Sequence, residues 1–276
     1  RPQDLGSKQP SHRGSVGKGH RSNDPRCGDP NRRCDAIDER FAVIAIVDYG
    51  IGNLRSAQKA FEAVGVEARL TGDRDVIATA DGVVLPGVGN FGQCMGALVE
   101  RDLDRACHDA IERGQPFLGI CVGMQMLFAT SDEAPGAVGL GIFDSNVALL
   151  PPDVVVPHMG WNQCTAIAPD STMFSGLRDQ PWMYFVHSYA SPDVDEAWVA
   201  ARVHHGVDVV AAVERANVWG AQFHPEKSSN LGLTLLANFA STCGLEPTDP
   251  SHADARSGRS EPGVYPSEPV SETIHD

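Results

Sequence analysis

Pro116-Phe117-Leu118-Gly119-Ile120-Cys121-Val122-Gly123-Met124-Gln125 is the stretch that decides the fold. An apolar run leads directly into a Gly-x-Cys-x-Gly turn, and a second apolar run, Val122–Phe128, reads as the helix that leaves it. A buried strand, a tight turn and a helix in immediate succession are the local pattern of an α/β protein. Glycines on both sides let the backbone turn sharply beside the cysteine and push its side chain out above the sheet. The following helix aims its N-terminal amides at the thiol, which lowers the thiol pKa below its free value of about 8.5. The plain alternative is a small buried apolar residue, the usual fate of a cysteine. Cys94, Cys107, Cys164 and Cys243 lack the strand–turn–helix setting and read that way.

Outward from this turn the same rhythm continues. Phe41–Val47 is an unbroken apolar run feeding Asp48-Tyr49-Gly50-Ile51-Gly52-Asn53. Leu54, Ala57, Ala60, Phe61 and Val64 then fall on one helical face. Val66–Leu70 and Val83–Leu85 read as strands, and a helix covers much of Gln93–Glu112. Beyond residue 140 the spacing shortens: Val147–Leu150, Asn162–Ile167, Trp182–Tyr189, Trp198–Val203 and Val207–Val213 are strand-like with short turns between them. Val218–Phe223 is again a buried strand, and Leu231–Phe239 a closing amphipathic helix. The expected fold is α/β, an open, mostly parallel sheet with flanking helices and some antiparallel strands.

Composition sets the limits. The chain has 276 residues, 42% of them hydrophobic, and a net charge of -14. Residues 1–40 carry nine basic and six acidic groups (+3), residues 245–276 two and seven (-5), and the middle eleven and twenty-three (-12), so the acidity belongs to the folded part. Such a surface repels a phosphate backbone, and nucleic-acid binding is not expected. Neither is a membrane span, since no apolar stretch is long enough. The absence of an apolar leader and the scattered seven cysteines, with no C-x-x-C pair or zinc-ligand spacing, fit a cytoplasmic protein with reduced thiols and no metal or cofactor. Residues 1–40 and 245–276 are poor in apolar periodicity and read as disordered extensions of a 41–244 domain.

A cysteine nucleophile needs a base. Of ten histidines, His224 stands out, because it ends the apolar strand Val218–Phe223 within Gln222-Phe223-His224-Pro225-Glu226-Lys227. Parallel sheets bind ligands beyond the carboxyl ends of their strands, where both Cys121 and His224 fall. Glu226 can turn back to hold the second imidazole nitrogen. The plain readings are a hydrogen-bonded histidine at a strand end and a helix N-terminal charge. Leu85-Pro86-Gly87-Val88-Gly89-Asn90-Phe91-Gly92 supplies a glycine-rich loop after a third strand. Its amides and that of Val122 can form an oxyanion hole. The loop could equally bind a phosphate, although it lacks the Gly-Lys-Ser/Thr of a P-loop. Gly50-Ile51-Gly52-Asn53 lacks the third glycine of a dinucleotide fingerprint.

GICVGMQ (119–125) with QFHPEKS (222–228) resembles the class I, triad-type glutamine amidotransferases. PGVGNFG (86–92), PHMGWN (157–162), YFVHSY (184–189) and the Lys-Ser after His-Pro-Glu are similar to the glutaminase subunits of imidazole glycerol phosphate synthases, over residues 41–244. One departure is Val122, where leucine is more usual; a backbone amide is kept. The resemblance implies Cys121 as nucleophile, His224 as acid–base and Glu226 as its orienter, with Gly87, Val88, Gly89 and Val122 at the oxyanion. It implies Gln125, Ser188 and Tyr189 on the glutamine, and Asn53, His158, Trp161, Asn162, Tyr184 and Lys227 towards a partner. That partner is a (β/α)8-barrel cyclase subunit of histidine biosynthesis, which receives the ammonia. The competing readings are a glutaminase serving anthranilate, aminodeoxychorismate or a nucleotide synthase, a thiol-dependent α/β-hydrolase, and a silent docking subunit. In the hydrolase order the acid precedes the histidine, whereas Glu226 follows His224.

Overall fold

The computed structural model describes residues 43–250. The expectations for residues 1–40, and for the final segment beyond 250, lie outside the described residues. β1 (Ile44–Val47), β2 (Ala68–Thr71), β3 (Gly82–Gly87), β4 (Phe117–Cys121) and β12 (Val218–Ala221) form the parallel half of a nine-stranded sheet in the order β2-β1-β3-β4-β12. Fully apolar strands such as IAIV and FLGIC suit this position, since both faces are covered. The sheet continues antiparallel through β11 (Val207–Arg215), β10 (Val199–His205), β7 (His158–Thr165) and β8 (Trp182–His187). A small second sheet joins β5 (Phe128–Ser131), β6 (Phe143–Leu149) and β9 (Tyr189–Ala190).

Helix α1 (Leu54–Ala63) buries Ala57, Ala60 and Phe61 and packs with α6 (Ser229–Thr242), where Phe61 meets Phe239 at 6.2 Å between ring centres. The group α2 (Arg74–Thr79), α3 (Phe91–Glu100) and α4 (Leu103–Glu112) packs together, as right-handed crossovers between parallel strands require. The order of parallel strands places the carboxyl ends of β3, β4 and β12 side by side, with Gly87 opposite Cys121 and Ala221 opposite Ile120.

Two expected helices differ. The helix over Gln93–Glu112 is two, because Asp102 adopts a left-handed conformation (φ 57°). Its carboxylate pairs with Arg74 and Arg105, which fixes the break. The helix over Val122–Phe128 is one turn, α5 (Val122–Gln125), followed by strand β5. Leu140 and Ile142 donate backbone hydrogen bonds to the carbonyls of Met126 and Leu127, so a distant segment captures the chain before a second turn forms. The ordered chain also runs past Gly244: the Thr248 amide donates to the Val64 carbonyl at 2.8 Å and Leu245 packs on the core. No helix among the described residues is long and apolar enough to cross a membrane.

Candidate active site

Cys121 ends β4 with φ 56° and ψ -114°, a strained backbone for a residue with a side chain. The strain follows from the glycines around it. A Cβ on Gly123 would lie 1.8 Å from the Leu85 carbonyl oxygen, and one on Gly119 would lie 2.7 Å from that of Gly123. The turn can therefore press against β3 only with glycine at both positions, and the compression directs Cys121 into the pocket above the sheet. The Sγ lies 3.9 Å from the Val186 carbonyl and 3.9 Å from Gln222 Nε2.

The main chain of His224 is clamped. Its amide donates to the Tyr184 carbonyl at 2.9 Å and its own carbonyl accepts from Ser228 Oγ at 2.7 Å. Glu226 sits on a short 3-10 turn, Pro225–Lys227, which brings its Oε1 to 2.8 Å from His224 Nδ1. Both side chains are only 2% exposed. Nδ1 therefore holds the proton towards the carboxylate, and Nε2 faces the cysteine. Among the described residues no hydrogen bond with full geometry reaches Nε2, which leaves it open towards the Cys121 side chain. Burial by itself would push the imidazole down, but the Cys121 side chain and the Glu226 carboxylate outweigh it, and the His224 pKa is pushed up to about 9.

Cys121, Val122, Val88, Gly89, Gln125, Ser188, Tyr189 and His224 line one pocket of about 440 Å3. Gly87 does not line it. It lies behind, at a cleft shared with Asn53 and Glu226, and a Cβ there would meet the Gly123 amide at 2.6 Å. Its part is to let the loop lie on the elbow, while Val88 and Gly89 face the pocket. Gln125 is almost wholly buried, and its Nε2 donates to the Tyr189 carbonyl and to Gln222 Oε1.

The six residues assigned to a partner face divide into three groups. Trp161, Tyr184 and Lys227 share one outward face: the two rings meet edge-on at 6.0 Å and Lys227 Nζ lies 5.8 Å from the Tyr184 ring centre. His158 and Asn162 sit on the opposite face of β7, as strand alternation dictates. There His158 is 3% exposed, stacked on Phe185 and His205 and 3.0 Å from His187, and Asn162 reaches the His204 carbonyl. Asn53 is under the histidine–carboxylate pair, its Nδ2 3.3 Å from Glu226 Oε1.

Two site residues escaped the sequence reading. Glu133 lines the pocket and accepts from the Phe91 amide at 2.7 Å, which puts a carboxylate in its wall. Nothing around it in the sequence marks it, because it lies in the turn after β5, beyond the expected helix Val122–Phe128. Gln222 links Cys121 to Gln125, and its signal was its place two residues before His224, on the same side of an extended chain.

The family described as "Glutamine amidotransferase class-I" matches residues 45–243. A protein of Synechococcus elongatus named imidazole glycerol phosphate synthase subunit HisH is 48% identical over 199 residues, covering 71% of this chain and 91% of that one. Proteins of the same name from Methanothermobacter thermautotrophicus (47%, 71% and 97% covered) and Geobacter metallireducens (48%, 72% and 98%) are similar. Among solved structures, a glutamine amidotransferase aligns with TM-score 0.60 at 19% identity (74% and 100% covered). PurLQS from Thermotoga maritima aligns with TM-score 0.60 at 20% identity (73% and 98%). At such identities these two speak for the fold.

Proposed function

We propose, from the premise that this chain belongs to the class-I glutamine amidotransferases and within them to the glutaminase subunits of imidazole glycerol phosphate synthase, that Cys121, His224 and Glu226 release ammonia from glutamine for a cyclase partner. The observation that carries the residue assignment is the strained Cys121 in a pocket with a histidine whose far nitrogen is held by a buried carboxylate.

The chemistry follows from the positions. With its pKa near 9, His224 can hold a proton at neutral pH, and its Nε2 takes the thiol proton of Cys121 as the sulfur attacks. The thiolate attacks the side-chain carboxamide carbon of glutamine. The amides of Val88 and Val122 meet the negative charge that develops on the carboxamide oxygen. His224 Nε2–H gives its proton to the nitrogen as the C–N bond breaks, ammonia leaves, and a γ-glutamyl thioester remains on Cys121. With no thiolate present, the now neutral His224 takes a proton from water, and hydroxide attack on the thioester releases glutamate and restores the pair. Glu226 keeps the proton on Nδ1 throughout. The Glu133 carboxylate in the pocket wall suits the α-ammonium group of glutamine, and Ser188 and Tyr189 line the same pocket.

Ammonia freed into water becomes ammonium, which is no nucleophile, so its use requires delivery within a complex. The outward face of Trp161, Tyr184 and Lys227, with Met159 63% exposed beside them, adjoins the pocket through Val186 and Lys227 and suits a cyclase barrel as partner. A free nucleophilic thiol suits the reducing cytoplasm. The test is reconstitution with the cyclase subunit. Glutamine should support product formation with the parent chain and fail with Cys121→Ala, while ammonium salts support both. Glutamine-driven synthesis by Cys121→Ala would refute the assignment.

A further inference from the structure

The oxyanion loop is held from below by two buried side chains that the reaction itself does not use. Tyr49, at the end of β1, is 1% exposed and donates its hydroxyl to the Pro86 carbonyl at 2.7 Å. Cys94, on the first turn of α3, is fully buried, and its Sγ lies 3.3 Å from the Val88 carbonyl, with the thiol as donor. Burial keeps both groups protonated, Tyr49 and Cys94 being pushed above their ordinary values, so each retains the hydrogen it gives. Read as a small apolar residue in the sequence, Cys94 is thus a hydrogen-bond donor to the loop.

The two carbonyls belong to successive alternate peptide planes. Pro86 C=O is part of the Pro86–Gly87 peptide and Val88 C=O of the Val88–Gly89 peptide. Between them lies the Gly87–Val88 peptide, which carries the Val88 N–H. A peptide plane is rigid, and its orientation is set by the two soft torsions that flank it. Fixing the planes before and after leaves that one plane as the only part of Pro86–Gly89 free to turn. Gly87 cannot shift bodily, because the Val122–Gly123 peptide fills the space beside its Cα. Gly89, at φ 87°, holds the left-handed turn that brings the Val88 carbonyl back towards α3.

We propose that Cys94 and Tyr49 are positioning residues for glutamine hydrolysis: by holding the carbonyls on either side of the Gly87–Val88 peptide, they set where the Val88 amide points. This rests on the reading of Val88 as an oxyanion donor. A weakened anchor disperses the amide over several orientations, which weakens the transition state more than the bound ground state. The loss is smaller than the 10²–10³ of a deleted donor, roughly tenfold in kcat.

The experiment uses the full chain bound to its cyclase subunit and compares Cys94→Ala, Cys94→Ser and Tyr49→Phe with the parent. Two rates are followed: glutamine hydrolysis, and alkylation of Cys121 by iodoacetamide, a displacement at carbon that develops no oxyanion. Cys94→Ala and Tyr49→Phe should lower kcat about tenfold, leave KM for glutamine and the alkylation rate unchanged, and Cys94→Ser, which keeps a donor, should recover most of the loss. An unchanged kcat in Cys94→Ala overturns the proposal. So does a parallel fall of hydrolysis and alkylation, which would mean general damage to the site. Failure of the proposed function itself shows separately, as hydrolysis that survives Cys121→Ala.

Discussion

Asn53 Nδ2 lies 3.3 Å from Glu226 Oε1, the same oxygen that accepts the hydrogen bond from His224 Nδ1–H at 2.8 Å. The carboxylate that orients the histidine is thus itself oriented from helix α1, across 173 residues of chain. Hydrogen bonds to charged groups are worth about 1.5–3 kcal/mol, and the length of this one places it at the lower end. Asn53→Ala should therefore lower kcat/KM for glutamine roughly tenfold. In a double-mutant cycle with Glu226→Gln the effects should fall well short of additive, since both act through one imidazole. Full additivity would show that Asn53 acts elsewhere.

His224 predicts the alkaline limb of the pH profile. Its pKa is raised from 6.5 to about 9, so the imidazolium persists through neutrality and is lost as pH rises through about 9. Above that point the imidazole loses its second proton and with it the acid for the leaving nitrogen. The kcat/KM for glutamine in the complex should fall on a limb with midpoint near 9, and the limb should move to lower pH in Glu226→Gln. A limb near 6.5 in the parent would contradict the pairing.

His158 and His187 predict acid sensitivity. Burial, then the neighbouring histidines, push them down to about 3 and about 4, so the folded state holds both neutral. The chain of hydrogen bonds fixes their tautomers. His187 Nδ1 donates to the Tyr189 carbonyl, His158 Nδ1 donates to His187 Nε2, and Asn162 Nδ2 donates to His158 Nε2. Folded values below the unfolded 6.5 mean stability that is full above 6.5 and declines as pH falls towards 4. The melting temperature should drop across that window, and His187→Gln should flatten the drop while lowering stability at pH 7. An equal slope in both proteins would remove these histidines from the account.

The carboxyl-terminal boundary is a matter of one strap. We propose that a chain of residues 41–250 matches the full chain in melting temperature and activity, and that one ending at 244 melts several degrees lower. Such a shift is what losing about 1 kcal/mol does to a domain of this size. The cause is the Thr248–Val64 hydrogen bond and the packing of Leu245. Thermal melts of the two truncations decide it.

Much of this was legible in the chain itself, for local reasons. The parallel strands announce themselves as apolar runs ending in glycine turns, and Cys121 and His224 follow two such runs directly. What was not legible depends on distant segments. β5 is a strand because residues 139–143 capture it, and Glu133 follows it in a turn that carries no local signal. Asn53 was grouped with a partner face although α1 turns it towards Glu226. His158 and Trp161 were placed on one face, although an odd separation along a strand puts them on opposite faces. Cys94 reads as a small apolar residue because it lacks a strand–turn–helix setting, and local sequence does not reveal the Val88 carbonyl beside the thiol.

The central claim is that Cys121 is the nucleophile, and covalent capture tests it most directly. The full chain with its cyclase partner, treated with the glutamine analogue 6-diazo-5-oxonorleucine, should gain one adduct. Peptide mass mapping should place it on Cys121, with loss of glutaminase activity in proportion to labelling, and Cys121→Ala should gain none. Labelling at Cys94, Cys107, Cys164 or Cys243, or inactivation with Cys121 unmodified, would contradict the account.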